Sequence, residues 1–164
     1  MKTVGLISDT HIPSRAKTIP PKVFETFRDA SLILHAGDLT QLSVLTELER
    51  LAPVVAVRGN MDGKDVVERL PRVNSVEVEG WKFEVIHTLG VFVGLRQMKK
   101  AIKRNDFNAL VFGHTHRPMV KWEAKVLFIN PGSPTNPMPP FLVKPTVGLL
   151  RVSRERIEPE IIQI

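Results

Sequence analysis

The chain has 164 residues, 43% of them hydrophobic, and 23 Lys+Arg against 17 Asp+Glu give a formal net charge of +6. That length suits one domain, 1–164, with a real core, and no apolar run is long enough to span a bilayer. Cysteine is absent, which excludes disulfides, thiolate catalysis and thiolate zinc sites, so any metal must be held by histidine, carboxylate and amide groups.

Thr3 to Ser8 is an apolar run that reads as a first strand buried on both faces, and it enters Asp9-Thr10-His11. Met1 to Ser8 meets an aspartate too early for a signal peptide, so a cytoplasmic enzyme or binding domain is expected. Ile12 to Pro21 holds Pro13, Pro20 and Pro21 and reads as a loop. Pro21 suits the first turn of a short helix that turns Val23, Phe24 and Phe27 inward. Ser31 to Leu34 is a second buried strand leading into His35-Ala36-Gly37-Asp38. Thr40 is expected to cap the next helix, where Leu42, Leu45, Leu48 and Leu51 make one apolar stripe and Pro53 ends the element. Val54 to Val57 is a third strand and delivers Arg58-Gly59-Asn60-Met61-Asp62. Strand, helix, strand, helix, strand predicts a parallel sheet with helical crossovers.

From Arg72 the pattern changes. Val73 to Glu79 alternates, Gly80 supplies a turn, and Lys82 to Ile86 runs up to His87, which predicts a hairpin. Val93 to Lys103 reads as a helix with Leu95, Met98 and Ile102 inward and Lys99, Lys100, Lys103 and Arg104 outward on a solvated face. Ala109 to Phe112 is a short buried strand that opens into Gly113-His114-Thr115-His116. Met119 to Glu123 and Val126 to Ile129 form another hairpin. Asn130 to Pro145 carries six prolines and excludes regular structure, although Phe141, Leu142 and Val143 are apolar enough to pack. Val147 to Val152 and Ile157 to Ile164 finish the chain as strands.

The residues that follow strands form a set: Asp9 and His11, Asp38, Asn60, His87, then His114 and His116. In α/β sheets the C-terminal strand edge is where ligand sites form, so these positions can converge. In extended backbone, residues i and i+2 project to one face, which suits both Asp9 with His11 and His114 with His116 to metal binding. Four histidines, two aspartates and an asparagine exceed the needs of one ion. They suffice for two ions about 3.5 to 4 Å apart if one carboxylate bridges. Nitrogen and oxygen donors without sulfur suit Mn²⁺ first, with Fe²⁺, Zn²⁺ or Ni²⁺ as alternatives, over Ca²⁺ or Mg²⁺. Two such ions against two carboxylates leave a positive site that binds an anionic substrate such as phosphate. The net charge of +6 favours the same class of partner. Nucleic acid is weakly supported, because aromatic content is 6% with no tyrosine to stack bases.

The ordered set Asp9-x-His11, Gly37-Asp38, Gly59-Asn60-x-Asp62, a lone histidine at a strand end and Gly113-His114-x-His116 resembles the calcineurin-like metallophosphoesterase superfamily. Asn130-Pro131-Gly132-Ser133 and the length resemble its small single-domain bacterial and archaeal phosphodiesterases. That resemblance implies a four-layer α-β-β-α sandwich of two mixed sheets flanked by helices. It also implies that Asp9, His11, Asp38 and His116 hold one metal while Asp38, Asn60, His87 and His114 hold the other, with Asp38 as the bridge and Asp38, Asn60 and His87 in catalytic positions. The implied activity is hydrolysis of a phosphate ester by in-line attack of a metal-bridging hydroxide, on a small diester in the first instance. A phosphomonoesterase and a non-catalytic protein-binding scaffold, as in the similar retromer subunit, are the alternatives, and a homo-oligomer is compatible with either.

Two departures from the family pattern bear on substrate. Many phosphatases of the superfamily place histidine directly after the motif asparagine, where it protonates the leaving oxygen; here that residue is Met61, and a thioether cannot act as an acid. This shifts the expectation toward diesters or esters with good leaving groups. After His87 the chain has Thr88 and Leu89 where relatives have glycine and histidine, which predicts a more apolar pocket. His35 reads as support for the Gly37-Asp38 turn, Arg58 as a phosphate contact or ion-pair partner, Asp62 as a loop or cap residue, and Ser133 and Asn136 as rim contacts.

Overall fold

Two five-stranded mixed sheets face each other. The structure, a computed structural model, describes all residues other than 91, 92, 105 and 141. In the first sheet β1 (Lys2–Ile7), β2 (Leu32–His35) and β3 (Val54–Ala56) run parallel, with Val4 opposite Leu32 and Ile33 opposite Val54. The second sheet is built on β4 (Val73–Val78), β5 (Trp81–Ile86), β6 (Ala109–Val111), β7 (Met119–Glu123) and β8 (Val126–Asn130), in the order β4-β5-β6-β8-β7. The chain then returns to the first sheet as β9 (Thr146–Val152), antiparallel beside β1, and β10 (Ile157–Gln163), antiparallel to β9 at the sheet edge.

The period of two along each buried strand sorts its side chains into separate cores. Val4, Leu6 and Leu34 meet Phe83, Val85, Val111 and Leu127 between the sheets. Ile7, Ile33 and Ala56 turn outward, where α1 (Pro21–Thr26), α2 (Ser43–Leu48) and α3 (Lys64–Arg69) cover them with Val23, Leu45, Leu48 and Val66. On the far side α4 (Leu95–Arg104) sets Met98 against Leu110, Phe112 and Phe128. The result is the expected four-layer α-β-β-α sandwich. Each of these large side chains contributes about 1.5–3 kcal/mol through the apolar area removed from water.

Several local expectations fail for physical reasons. Thr40 does not cap α2: Leu42 occupies that position with helical backbone, and the Thr40 hydroxyl is spent on the Ile12 carbonyl. The helix stops at Leu48, five residues before Pro53, so that leucines 42 and 51 flank the element and are only partly buried. Residues 64–69 form α3, a helix not expected from the pattern; its six residues bury only Val66, too short a run for a helical stripe to register. On α4, Met98 is buried but Leu95 is 45% exposed at the first turn. Leu142 is 84% exposed and does not pack, and Phe141 lies outside the described residues.

Candidate metal centre

Each of the seven expected donors lies just beyond the C-terminal end of a strand: Asp9 and His11 after β1, Asp38 after β2, Asn60 after β3, His87 after β5, His114 and His116 after β6. The loops that carry them are stitched together by backbone bonds from Asp9 N to Gly37 O (3.0 Å), His11 N to Asp38 O (3.0 Å) and Gly113 N to His87 O (2.9 Å). The sheets thus bring five sequence-distant loops to one edge.

The backbone there is not the extended chain that the i, i+2 spacing suggests. β1 stops at Ile7 and β6 at Val111, and Asp9, His11, Asp38, His114 and His116 all have φ between 44° and 71°. Left-handed backbone at non-glycine residues costs on the order of 1 kcal/mol or more each and persists where surrounding contacts over-determine it. Glycines make the close approach possible: a Cβ on Gly113 would meet Asp9 Oδ2 at 2.6 Å, and one on Gly59 would meet Asp38 N at 2.6 Å. One consequence is that His114 and His116 do not share a face.

The donors separate into two groups. His116 Nε2 lies 3.2 Å from His11 Nε2 and 3.3 Å from Asp9 Oδ1. His114 Nδ1 lies 3.0 Å from Asn60 Oδ1 and 3.3 Å from His87 Nε2, which is itself 3.0 Å from Asn60 Oδ1. Asp38 stands between them, its Oδ2 at 3.2 Å from His87 Nε2 and 3.8 Å from His11 Nε2, while its Oδ1 accepts the Met61 N–H at 2.8 Å. Asp9, His11 and His116 bring donor atoms within 4.8 Å of one another, as do Asp9, Asp38 and His87, so Asp9 also stands between the groups. These distances and the nitrogen and oxygen chemistry fit divalent ions.

Hydrogen bonds outside the groups set the histidine tautomers. His87 donates from Nδ1 to the Ala36 carbonyl (2.8 Å) and His116 from Nδ1 to the Asn136 carbonyl (2.5 Å), so each turns Nε2 toward the carboxylates, where it donates a hydrogen bond while protonated and offers its lone pair to a metal once that proton leaves. Burial pushes both rings down, but hydrogen bonding from His87 to Asp38 and from His116 to Asp9, together with the carboxylate charges, holds them above the usual imidazole range. At His11 burial wins and its pKa falls. Burial raises Asp38, yet the His87 hydrogen bond and charge and the Met61 N–H overcome it and hold the carboxyl below its usual range.

Supporting residues were only partly legible in the sequence. His35, fully buried and pushed by burial to a pKa of about 4, accepts the Gly37 N–H at Nδ1 (3.2 Å), so its Nε2–H donates to Thr10 Oγ1 (3.2 Å) and ties the β1 and β2 loops. Asp62 is more than a loop residue. Its carboxylate accepts three backbone N–H groups, from Gly59 (2.6 Å), Thr40 (2.7 Å) and Asp38 (3.2 Å). The proline-rich segment is anchored: Ser133 Oγ donates to the Asp9 carbonyl and Thr135 Oγ1 to the Thr10 carbonyl, both at 2.7 Å. Asn130, which opens the Asn130-Pro131-Gly132-Ser133 segment, donates to the Gly113 carbonyl at 2.9 Å. Leu89 packs against the α4 core, and the cavity beside His87 combines apolar Val67, Val73 and Ile86 with Arg58, Arg72 and Glu84. Arg58 makes no ion pair among the described residues; its guanidinium donates to the Val67 carbonyl at 2.7 Å.

The description of a calcineurin-like phosphoesterase superfamily domain matches residues 1–155. A probable metallophosphoesterase of Methanothermobacter thermautotrophicus is 44% identical over 161 residues, 98% of this chain and 91% of its own length. A phosphodiesterase of Methanocaldococcus jannaschii is 32% identical over 168 residues, covering 93% and 94% of the two chains. In fold alone the chain is similar to the crystal structure of zinc-complexed Vps29 from Entamoeba histolytica, with a TM-score of 0.80 at 22% identity over 98% of both chains. No described helix is long and apolar enough to cross a membrane. With its motifs, its sandwich and its donor groups at one strand edge, the chain belongs to the calcineurin-like phosphoesterase superfamily.

Proposed function

We propose that this chain, as one phosphoesterase domain, is a phosphodiesterase that works with two divalent metal ions, Mn²⁺ in preference to Fe²⁺, Zn²⁺ or Ni²⁺. The observation that carries this is Asp38, 2% exposed, with Oδ2 between two donor groups and Oδ1 locked to the Met61 N–H. Asp9, His11, Asp38 and His116 would hold one ion and Asp38, Asn60, His87 and His114 the other. Divalent ions held by these residues would supply Lewis acidity toward phosphate oxygens and would acidify a bound water. The chain's own part is preorganisation, since both tautomer locks and the Asp38 Oδ1 bond are made by backbone groups of neighbouring loops.

Met61, 61% exposed beside Asn60, offers no proton to a leaving alcohol, which favours esters with good leaving groups. The diester reading is supported by the similarity to the Methanocaldococcus jannaschii phosphodiesterase. The experiment is turnover of bis(p-nitrophenyl) phosphate against p-nitrophenyl phosphate at equal Mn²⁺ loading, with Asp38→Ala as the inactive control. Faster monoester turnover makes the protein a phosphomonoesterase. No turnover, with no transition metal found by elemental analysis of protein purified without chelators, makes it a scaffold.

A further inference from the structure

Beside the donor groups lies a cavity of about 730 Å³ that shares Asn60 and His87 with them. Val73 pairs with Ile86 and Ser75 with Glu84 across the β4–β5 hairpin, so these four side chains occupy one face of it. Val73, Ile86 and Glu84 line the cavity, and Val67 of α3 adds a further apolar wall residue. Val73 remains 53% exposed, which leaves apolar surface facing the opening. The cations differ in state. Arg58 is fastened to the Val67 carbonyl, whereas the Arg72 side chain makes no hydrogen bond or ion pair among the described residues. Glu84 is the only acid among the described wall residues, and it offers an acceptor to a hydroxyl or N–H.

A second cavity of about 560 Å³, lined by Phe112, Arg117, Pro118 and Met119, includes His114 in its wall. His114, Asn60 and His87 lie within 3.0–3.3 Å of one another, so the two cavities meet at one group of donors. A phosphate with one organic arm needs one such cleft, and a diester has an arm for each.

We propose that the Arg72 cavity is the subsite for the larger arm of the diester: apolar surface near the scissile phosphate, and a second anionic group further out that pairs with Arg72. A nucleoside bearing an additional phosphate has that chemistry. Arginine suits it because its planar fork binds phosphate oxygens in pairs. The inference rests on the phosphodiesterase function proposed above.

The test compares two esters on Mn²⁺-loaded protein: the p-nitrophenyl ester of thymidine 5′-phosphate, and the same molecule carrying a 3′-phosphate. They differ only in the second anion. For the wild-type chain kcat/KM should be about tenfold higher with the 3′-phosphate, mostly through KM, within the range of one charge-assisted contact. Arg72→Ala should abolish that preference, while Arg154→Ala, in a separate cavity beside Trp81, should keep it. Equal wild-type values, or a preference that survives Arg72→Ala, overturn the subsite and leave the phosphodiesterase standing. Failure to turn over either ester or bis(p-nitrophenyl) phosphate overturns both.

Discussion

Asp62→Ala removes a residue outside the seven expected donors whose carboxylate holds three backbone N–H groups around them, that of Asp38 included. Asp38 and Gly59 are two of the donors to it, and Thr40 is the third. Hydrogen bonds to a charged acceptor contribute about 1.5–3 kcal/mol when buried. Asp62 is half-buried, so water recovers part of each bond, and about 1 kcal/mol per bond is the fitting figure. The sum is about 3 kcal/mol, and for a domain of this size each kcal/mol moves Tm by about 2–4 °C, so the melting point should fall by about 6–12 °C. The same loss frees the Asp38 turn, which should weaken Mn²⁺ binding at least tenfold, as the loss of groups that orient ligands typically does. Calorimetric melts of metal-free protein and Mn²⁺ titration measure the two effects separately. Asp62→Asn, which keeps one acceptor oxygen, should fall between wild type and Asp62→Ala. A melting point within 2 °C of wild type together with unchanged Mn²⁺ affinity would refute the assignment of Asp62 as the clasp between the β2 and β3 loops.

Replacing the two neighbouring histidines should separate two binding steps: His114→Ala and His116→Ala each weaken a different one by tenfold or more, and the double variant weakens both. A double variant that loses only the step already lost in one single variant would mean that both imidazoles serve one ion. Metal affinity should rise as pH climbs through 6.5 and continue to rise above it, because His87 and His116 keep their protons above the ordinary imidazole value and protons compete for the lone pairs. The same raised rings stabilise the metal-free fold below pH 6.5 and lose that contribution as pH rises through their folded values, so metal-free and Mn²⁺-loaded melts should diverge with increasing pH. Phe83→Ala opens a hole in the fully buried layer between the sheets and should cost about 3–5 kcal/mol in denaturant unfolding; a loss under 1 kcal/mol would show that the two sheets do not share a rigid core.

What the sequence determined by itself is the order of elements and the seven candidate residues that the fold brings to one strand edge. Buried strands such as Val4 to Ile7 and Leu127 to Ile129 are continuous apolar runs, and the polar residues that interrupt the chain at their ends stand out against them. The family resemblance implied which of those residues pair, and tertiary structure decided the geometry in which they meet. Spacing suggested a shared face for His114 and His116, but left-handed backbone at both turns them into different groups. Asp62 looks like any loop aspartate until Gly59, Thr40 and Asp38 come within reach, and Arg72 acquires meaning only because Val67 and the β4–β5 hairpin build a cavity next to Asn60. The physical reason is that a run of side chains records local burial, whereas hydrogen bonds between loops depend on distances set by two sheets packing across residues more than a hundred positions apart, as with Asp9 and His114.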